Sequence, residues 1–282
     1  MSDISNYNSF STNRGTTFFD SNNLVAKFAF LLVVIFGFII LLKFGISIIA
    51  YFMSPSQSPH LIDGMVDAKN SLVFSQDASG NNNSVTIYRS VNKRDGLEFT
   101  WSVWVYINTL QYLQGQYKSI FYKGNSNLAT DGNGLNFPNN APGLYIDPDK
   151  NDLIVIMNTF DVINEEIRIP NIPLNKWMNV IIRCQNKTLD VYVNGTIARS
   201  LELTSVPKQN YGDVYVGMNG GFDGYISNLW YYNYSLGAAA IQNIAQMGPN
   251  TKMLGNNGMN MKNANYLSLR WYFNGANNGF NP

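Results

Sequence analysis

From Leu24 to Met53 the chain is apolar at almost every position, reading LVAKFAFLLVVIFGFIILLKFGISIIAYFM, with Lys27 and Lys43 its only charges. The apolar side chains run all the way round a helix instead of forming the stripe of a surface helix in a soluble domain. At 1.5 Å per residue the run spans about 43 Å, more than the roughly 30 Å hydrocarbon core of a bilayer. The uncharged part, 28–42, is short for a crossing, so the span is expected to continue through 44–50, with Lys43 snorkelling or meeting a partner. The run is far longer than the core of a cleaved signal peptide, and polar residues precede it, which predicts an uncleaved single-pass anchor. Arg14 and Lys27 on one side balance Lys43 and Lys69 on the other, so charge does not set the orientation.

Beyond the run the pattern changes to short stretches of alternating apolar and polar residues, separated by Gly, Asn, Asp and Pro. That period of two predicts half-buried antiparallel strands. We expect them at 71–74, 84–90, 99–107, 118–123, 143–146, 153–159, 165–169, 177–185, 188–193, 196–203, 213–216 and 224–231. A dozen strands in about 180 residues fit one β-sandwich or barrel, and only 236–247 reads as a later helix. The expected organisation is a polar arm at 1–23, a transmembrane helix at 24–53, a Pro/Ser linker at 54–69, the sandwich at 70–247 and a Gly/Asn-rich tail at 248–282. The tail carries one apolar patch, YLSLRWYF at 266–273, expected to dock on its own sandwich or on another subunit through Tyr266, Leu267, Leu269, Arg270, Trp271, Tyr272 and Phe273.

Composition narrows the function. With 19 basic against 18 acidic residues the net charge is +1, which leaves no basic excess for a phosphate backbone, so no nucleic-acid partner is expected. Cys184 is the only cysteine and His60 the only histidine, too few for an internal disulfide, a His-rich metal cluster or a Ser-His-Asp relay. About 40 asparagines exceed the usual share; they suit a loop-rich fold and equally an AT-rich coding bias. Four glycosylation sequons begin at Asn82, Asn186, Asn194 and Asn233, and bear on the protein only if the domain faces a secretory lumen.

Five blocks occur in an order that points to a family: FTWSVWV at 99–105, IFYKG at 120–124, PLNKWMNV at 173–180, LDVYVNG at 189–195 and FDGYISNL at 222–229. The segment from about 70 to 247 resembles the concanavalin A-like lectin/glucanase superfamily, especially its laminin-G-like and pentraxin-like branch. The resemblance implies an all-β, antiparallel jelly-roll β-sandwich preceded by one N-terminal transmembrane helix. Asn194-Gly195 between alternating strands supports it independently, since both central positions of a type I′ turn need positive φ. Trp101, Trp104 and Trp177 are then expected in the core.

The glucanase branch sets paired carboxylates on one strand face, about 5 Å apart, for retaining hydrolysis. Here Glu165 and Glu166 are adjacent, and Glu98 and Glu202 stand alone, so the protein is expected not to be an enzyme. Many relatives bind calcium, and Asp147, Asp149 and Asn151 offer alternate oxygens, but they lack the glycine and distal glutamate of an EF-hand loop. A polar turn is the better reading, and no cofactor is expected. Membrane-anchored sandwiches of this composition resemble virion proteins of large DNA viruses. The leading expectation is therefore a structural minor capsid protein in an internal virion membrane, facing and tethering the capsid. The alternative is a membrane-anchored carbohydrate-binding receptor or adhesin, contacting glycans through Tyr112, Tyr117, Phe137 and Tyr145.

Overall fold

The computed structural model describes residues 24–54, 56–76, 84–129 and 132–254. They form two compact units divided between Ser54 and Pro55. The first holds α1 (Leu24–Met53), a single helix whose run from Leu24 to Phe52 is long and apolar enough to cross a membrane.

The second unit is a β-sandwich. One sheet runs in the order β1 (His60–Asp67), β13 (Asp223–Tyr232), β4 (Gly96–Thr109), β9 (Trp177–Asn186), β10 (Thr188–Val193), β11 (Thr196–Glu202), with β3 (Val91–Lys93) beside the start of β4. The other runs β2 (Leu72–Phe74), β12 (Asp213–Val216), β5 (Lys118–Gly124), β6 (Gly143–Ile146), β7 (Asp152–Met157), β8 (Glu165–Pro170). Every pairing between these strands is antiparallel. α2 (Ala238–Met247) follows the last strand, and its Ile241 packs with Ile181 and Leu236.

Alternation explains the core. Phe99, Trp101, Val103, Val105 and Ile107 of β4 turn into the space between the sheets, opposite Phe121, Leu144, Val155 and Met157. The Trp101 ring lies 5.2 Å from Phe121 and 4.7 Å from Tyr231. The same period puts Trp104 and Trp177 on the opposite face of their strands, which corrects the expectation for Trp177. Trp104 is buried outside the main core cluster, and half-buried Trp177 packs 5.5 Å from Tyr106. Cys184 is fully buried, and burial pushes its thiol up to about 12. The hairpin at Asn194-Gly195 has positive φ at both residues, 50° and 80°. Asparagine takes the turns as its abundance implies: among the described residues every non-glycine with positive φ except Leu113 is an asparagine.

Two boundaries move. The expected linker ends at Pro59, because residues 60–67 form β1 against β13. The Tyr231 N–H already donates to the Pro59 carbonyl at 3.2 Å. The tail does not begin free of the sandwich either: Leu254 is buried, and its N–H donates to the Met65 carbonyl at 2.8 Å. Gly64, at φ 142°, makes room for it, since a Cβ there would lie 2.7 Å from the Leu254 side chain. The docking patch expected at 266–273 lies outside the described residues.

Candidate functional site

At one end of the inter-sheet core the two sheets part around a cavity of about 210 Å³, beside a second of about 280 Å³ that shares Ala141 and residues 208–211 as lining. The floor is core: Leu97, Phe99 and Trp101 from β4, Met157 from β7 and Tyr231 from β13. One wall is the segment 84–90, expected as a strand. It joins the sheet only by a bridge from Ser84 to Ser75, because side chains take its carbonyls in place of a neighbouring strand. The Tyr231 hydroxyl donates to the Tyr88 carbonyl at 3.0 Å, and Gln209 Nε2 to the Ser90 carbonyl at 3.0 Å.

Residues 207–212 form the other wall. Asn210 fixes it to β5, its Nδ2 donating to the Lys123 carbonyl at 3.1 Å while its Oδ1 accepts the Gly212 N–H at 2.6 Å. Gln209 ties the walls together, since its Oε1 accepts from Arg89 Nε and its Nε2 reaches Asn92 Oδ1 at 2.9 Å. Tyr211 is 70% exposed at the rim, with the Arg89 guanidinium 5.8 Å from its ring centre. Lys208 lies 5.6 Å from the exposed Phe160 ring.

Lys123, near the end of β5, reaches the cavity from below. In register it pairs with Val214, a core residue, so its side chain turns into the inter-sheet layer. Its Nζ donates to the Gly212 carbonyl at 2.6 Å. The Gln76 amide, oriented by its neighbours, offers its oxygen at 3.0 Å to the same ammonium and its nitrogen at 3.2 Å to the Tyr211 carbonyl. Burial lowers the lysine to about 8, against the upward pull of Asp213. An apolar floor, an exposed ring and a rim of amides and cations make a site for a polar ligand with one apolar face.

The residues expected to meet a glycan do not converge here. Tyr145 is fully buried and its hydroxyl donates to Asn140 Oδ1 at 2.6 Å, which removes it as a surface contact. Tyr117 is half-buried with its ring centre 6.2 Å from that of Tyr145, Tyr112 lies under Lys69 at 4.9 Å, and Phe137 is exposed on the 125–142 loop. None of the four lines either cavity. The calcium candidates form the polar turn between β6 and β7. Asp147 Oδ1 accepts the N–H groups of Asp149 at 2.9 Å and Lys150 at 2.8 Å, its Oδ2 accepts from Arg168, and Asn151 Nδ2 donates to the Ile172 carbonyl. The Asp147 carboxylate is thus engaged by its own turn and by Arg168. Among the described residues no group of three or more His, Cys, Asp or Glu stands ready to hold a metal. Glu165 is buried and receives Thr159 and Thr204, whereas Glu166 pairs with Arg168.

A laminin G-like family model, described as the concanavalin A-like lectin/glucanases superfamily, matches residues 79–242. The chain belongs to that superfamily. Solved structures resemble it distantly. The receptor binding domain of botulinum neurotoxin D is 13% identical with a TM-score of 0.44, over 63% of this chain and 44% of that one. The binding domain of serotype G is 15% identical with a TM-score of 0.40, over 53% and 36%. The serotype D ligand binding domain in complex with N-acetylneuraminic acid is 15% identical with a TM-score of 0.44, over 63% and 41%. The chain thus spans less than half the length of these domains. No curated protein matches it in sequence.

The cleft residues were hidden in the sequence, since Arg89, Lys123, Lys208 and Tyr211 form no motif. One signal was available: Lys123 occupies an inward position of a strand that is otherwise almost wholly apolar, IFYKG.

Proposed function

We propose that this protein is a non-enzymatic carbohydrate-binding module, held at a membrane by α1, with the cleft as its binding site. One observation carries the reading: a lectin-superfamily sandwich opens, between its two sheets, into a cavity where the exposed Tyr211 ring stands beside the amides of Gln209 and Asn210. A sugar presents C–H faces to a ring and hydroxyls to amides, and this rim supplies both. α1 serves as the anchor because it is apolar all round. The capsid-tether reading places its contact at 266–273, outside the described residues, and no structural observation favours it.

The test uses the full-length protein in lipid nanodiscs on an array of immobilised oligosaccharides, followed by calorimetric titration of the strongest binder. Tyr211→Ala is expected to weaken binding at least tenfold while the sandwich keeps its near-UV circular dichroism. Unchanged affinity in Tyr211→Ala, or release of new reducing ends from the bound oligosaccharide, overturns the reading.

A further inference from the structure

Three cationic side chains, Arg89, Lys123 and Lys208, line the cavity of about 210 Å³, and no carboxylate lines it among the described residues. None of the three is in an ion pair among those residues, although ion pairs occur elsewhere in the sandwich. The walls meanwhile hold the cations in place. Gln209 fixes the Arg89 Nε, which leaves the far side of the guanidinium for a ligand, and the Lys208 N–H is anchored to the Asn158 carbonyl at 2.9 Å. Lys123 is the most telling. An ammonium has three donors, and the Gly212 carbonyl and the Gln76 amide take two of them, so one N–H has no partner among the described residues. Asp213 is the acid that pulls on Lys123 among the described residues, yet its Oδ1 is engaged by the Gln76 N–H at 2.9 Å and the residue does not line the cavity. A buried cation is tolerated when an opposite charge comes within about 4–6 Å; among the described residues only Asp213 pulls on Lys123, and it leaves the cavity side of the ammonium open.

We propose that the cleft is selective for an anionic saccharide, whose carboxylate or sulfate group seats on Lys123 between Arg89 and Lys208 while its ring lies against Tyr211. The proposal rests on the carbohydrate reading of the same cleft and adds the ligand's charge. A planar carboxylate suits the forked donors of Arg89, and charge-assisted bonds to an ammonium are the strong kind. The amide donors of Gln209 and Asn210 alone would not distinguish a charged sugar from a neutral one. The three cations do.

The experiment titrates full-length protein in neutral-lipid nanodiscs with three probes of matched length: an oligogalacturonate, its methyl ester, and a sulfated neutral galactan oligomer. Oligogalacturonate or the sulfated oligomer is expected to bind at least tenfold more tightly than the ester, and which of the two binds identifies the anion. Lys123→Met, close in length and apolar, is expected to abolish that preference, as is the surface double variant Arg89→Gln/Lys208→Gln, which does not touch the core. Lys176→Gln, an exposed lysine away from the cleft, is expected to keep it. If ester and acid bind equally and Tyr211→Ala weakens both, the carbohydrate reading stands and the anionic one is overturned. Preference for the acid that survives both cation variants overturns the assignment to this cleft. Absence of binding to these probes and to every neutral oligosaccharide sinks the carbohydrate reading itself.

Discussion

Strand β5 carries a buried lysine at its first position and another one residue before its last, and the two ends of the strand treat the same side chain differently. Five residues separate Lys118 from Lys123, about 17 Å at 3.3–3.4 Å per residue. A bulge between Ser119 and Phe121 lets both turn into the inter-sheet layer, Lys118 beside Ile146 and Lys123 beside Val214. At the first end the polar groups close on one another. Lys118 Nζ reaches the Pro148 carbonyl at 3.1 Å and the Asp147 carbonyl at 3.4 Å, under a turn that Asp147 and Arg168 lock. Burial lowers its pKa, and the nearby Asp149 and Asp147 offset part of that. At the second end Lys123 opens on a cavity, its pKa is brought to about 8, and among the described residues no carboxylate lines that cavity. The first end is a structural corner. The second holds a charge that the described residues satisfy only in part, the kind of arrangement by which binding sites trade stability for function.

The largest effect is expected at the closed corner. Asp147→Ala removes the acceptor of two N–H groups and strands Arg168, so it is expected to cost about 3 kcal/mol by urea denaturation. Burial opposes ionisation of Asp147, but the N–H groups of Asp149 and Lys150 together with Arg168 hold its carboxyl below the ordinary value. Its contribution is therefore full above the unfolded carboxylate value and is lost as pH falls through the lower folded one. Ligand binding at the far end is expected to be unchanged, and a shared loss of binding would erase the distinction between the two ends.

The lysines themselves give the next contrast. Lys123→Met is expected to raise stability at pH 7 by about 2 kcal/mol, less than the full shift implies because the Gly212 carbonyl loses a donor. Lys118→Met, which strands the Asp147 carbonyl while the Pro148 carbonyl keeps the Gly115 N–H, is expected to lower it by about 1 kcal/mol. Below pH 8 Lys123 carries its proton in folded and unfolded chains alike, and the cost of burying it is fully present. Between pH 8 and about 9.5 the folded chain sheds that proton first, the unfolded state binds more protons, and wild-type stability rises. The gap to Lys123→Met should then narrow. Above pH 10 the buried Tyr122 and the half-buried Tyr232, both raised to about 12 chiefly by burial, act in the opposite direction. A gap that stays constant from pH 7 to 9.5 would show that Lys123 is not a buried charge.

The same contrast explains what the sequence revealed. Strands such as β9 and β10 and the turn at Asn194 were legible because period-two alternation and turn chemistry are local. β1 was not, because HLIDGMVD follows two prolines, and bulges around Ile62 and Met65 interrupt its alternation. The faces of Trp104 and Trp177 were legible in phase but not in meaning, since an aromatic residue invites a core reading whichever side it is on. The cleft was least legible. Its walls come from segments more than 100 residues apart, joined by hydrogen bonds from Gln209 to Ser90 and Asn92, and its cations come together only when those segments fold against each other. Aromatics near polar loops are a pattern that Tyr145 meets while fully buried, its hydroxyl held by Asn140.

Gln209 offers the smallest and most discriminating effect. Its amide touches four groups of the opposite wall: Arg89 Nε, the Ser90 carbonyl and hydroxyl, and Asn92 Oδ1. Two of the contacts are exposed and the two to Ser90 are half-buried beside the cavity, where water can replace them, so Gln209→Ala is expected to cost only about 1 kcal/mol. That corresponds to a fall in Tm of about 2–4 °C for a unit of this size. Binding should suffer more than folding. With Gln209 gone, Arg89 regains its rotamer freedom and the 84–90 wall loses its tie, and the ligand must pay to order both. A tenfold loss of affinity for the strongest oligosaccharide, with a Tm within 4 °C of wild type, would separate this end of β5 from the closed corner, where stability falls and binding does not. If affinity and Tm both stay at wild-type values, the tie between the walls is incidental, and the cleft is a gap between sheets and not a site.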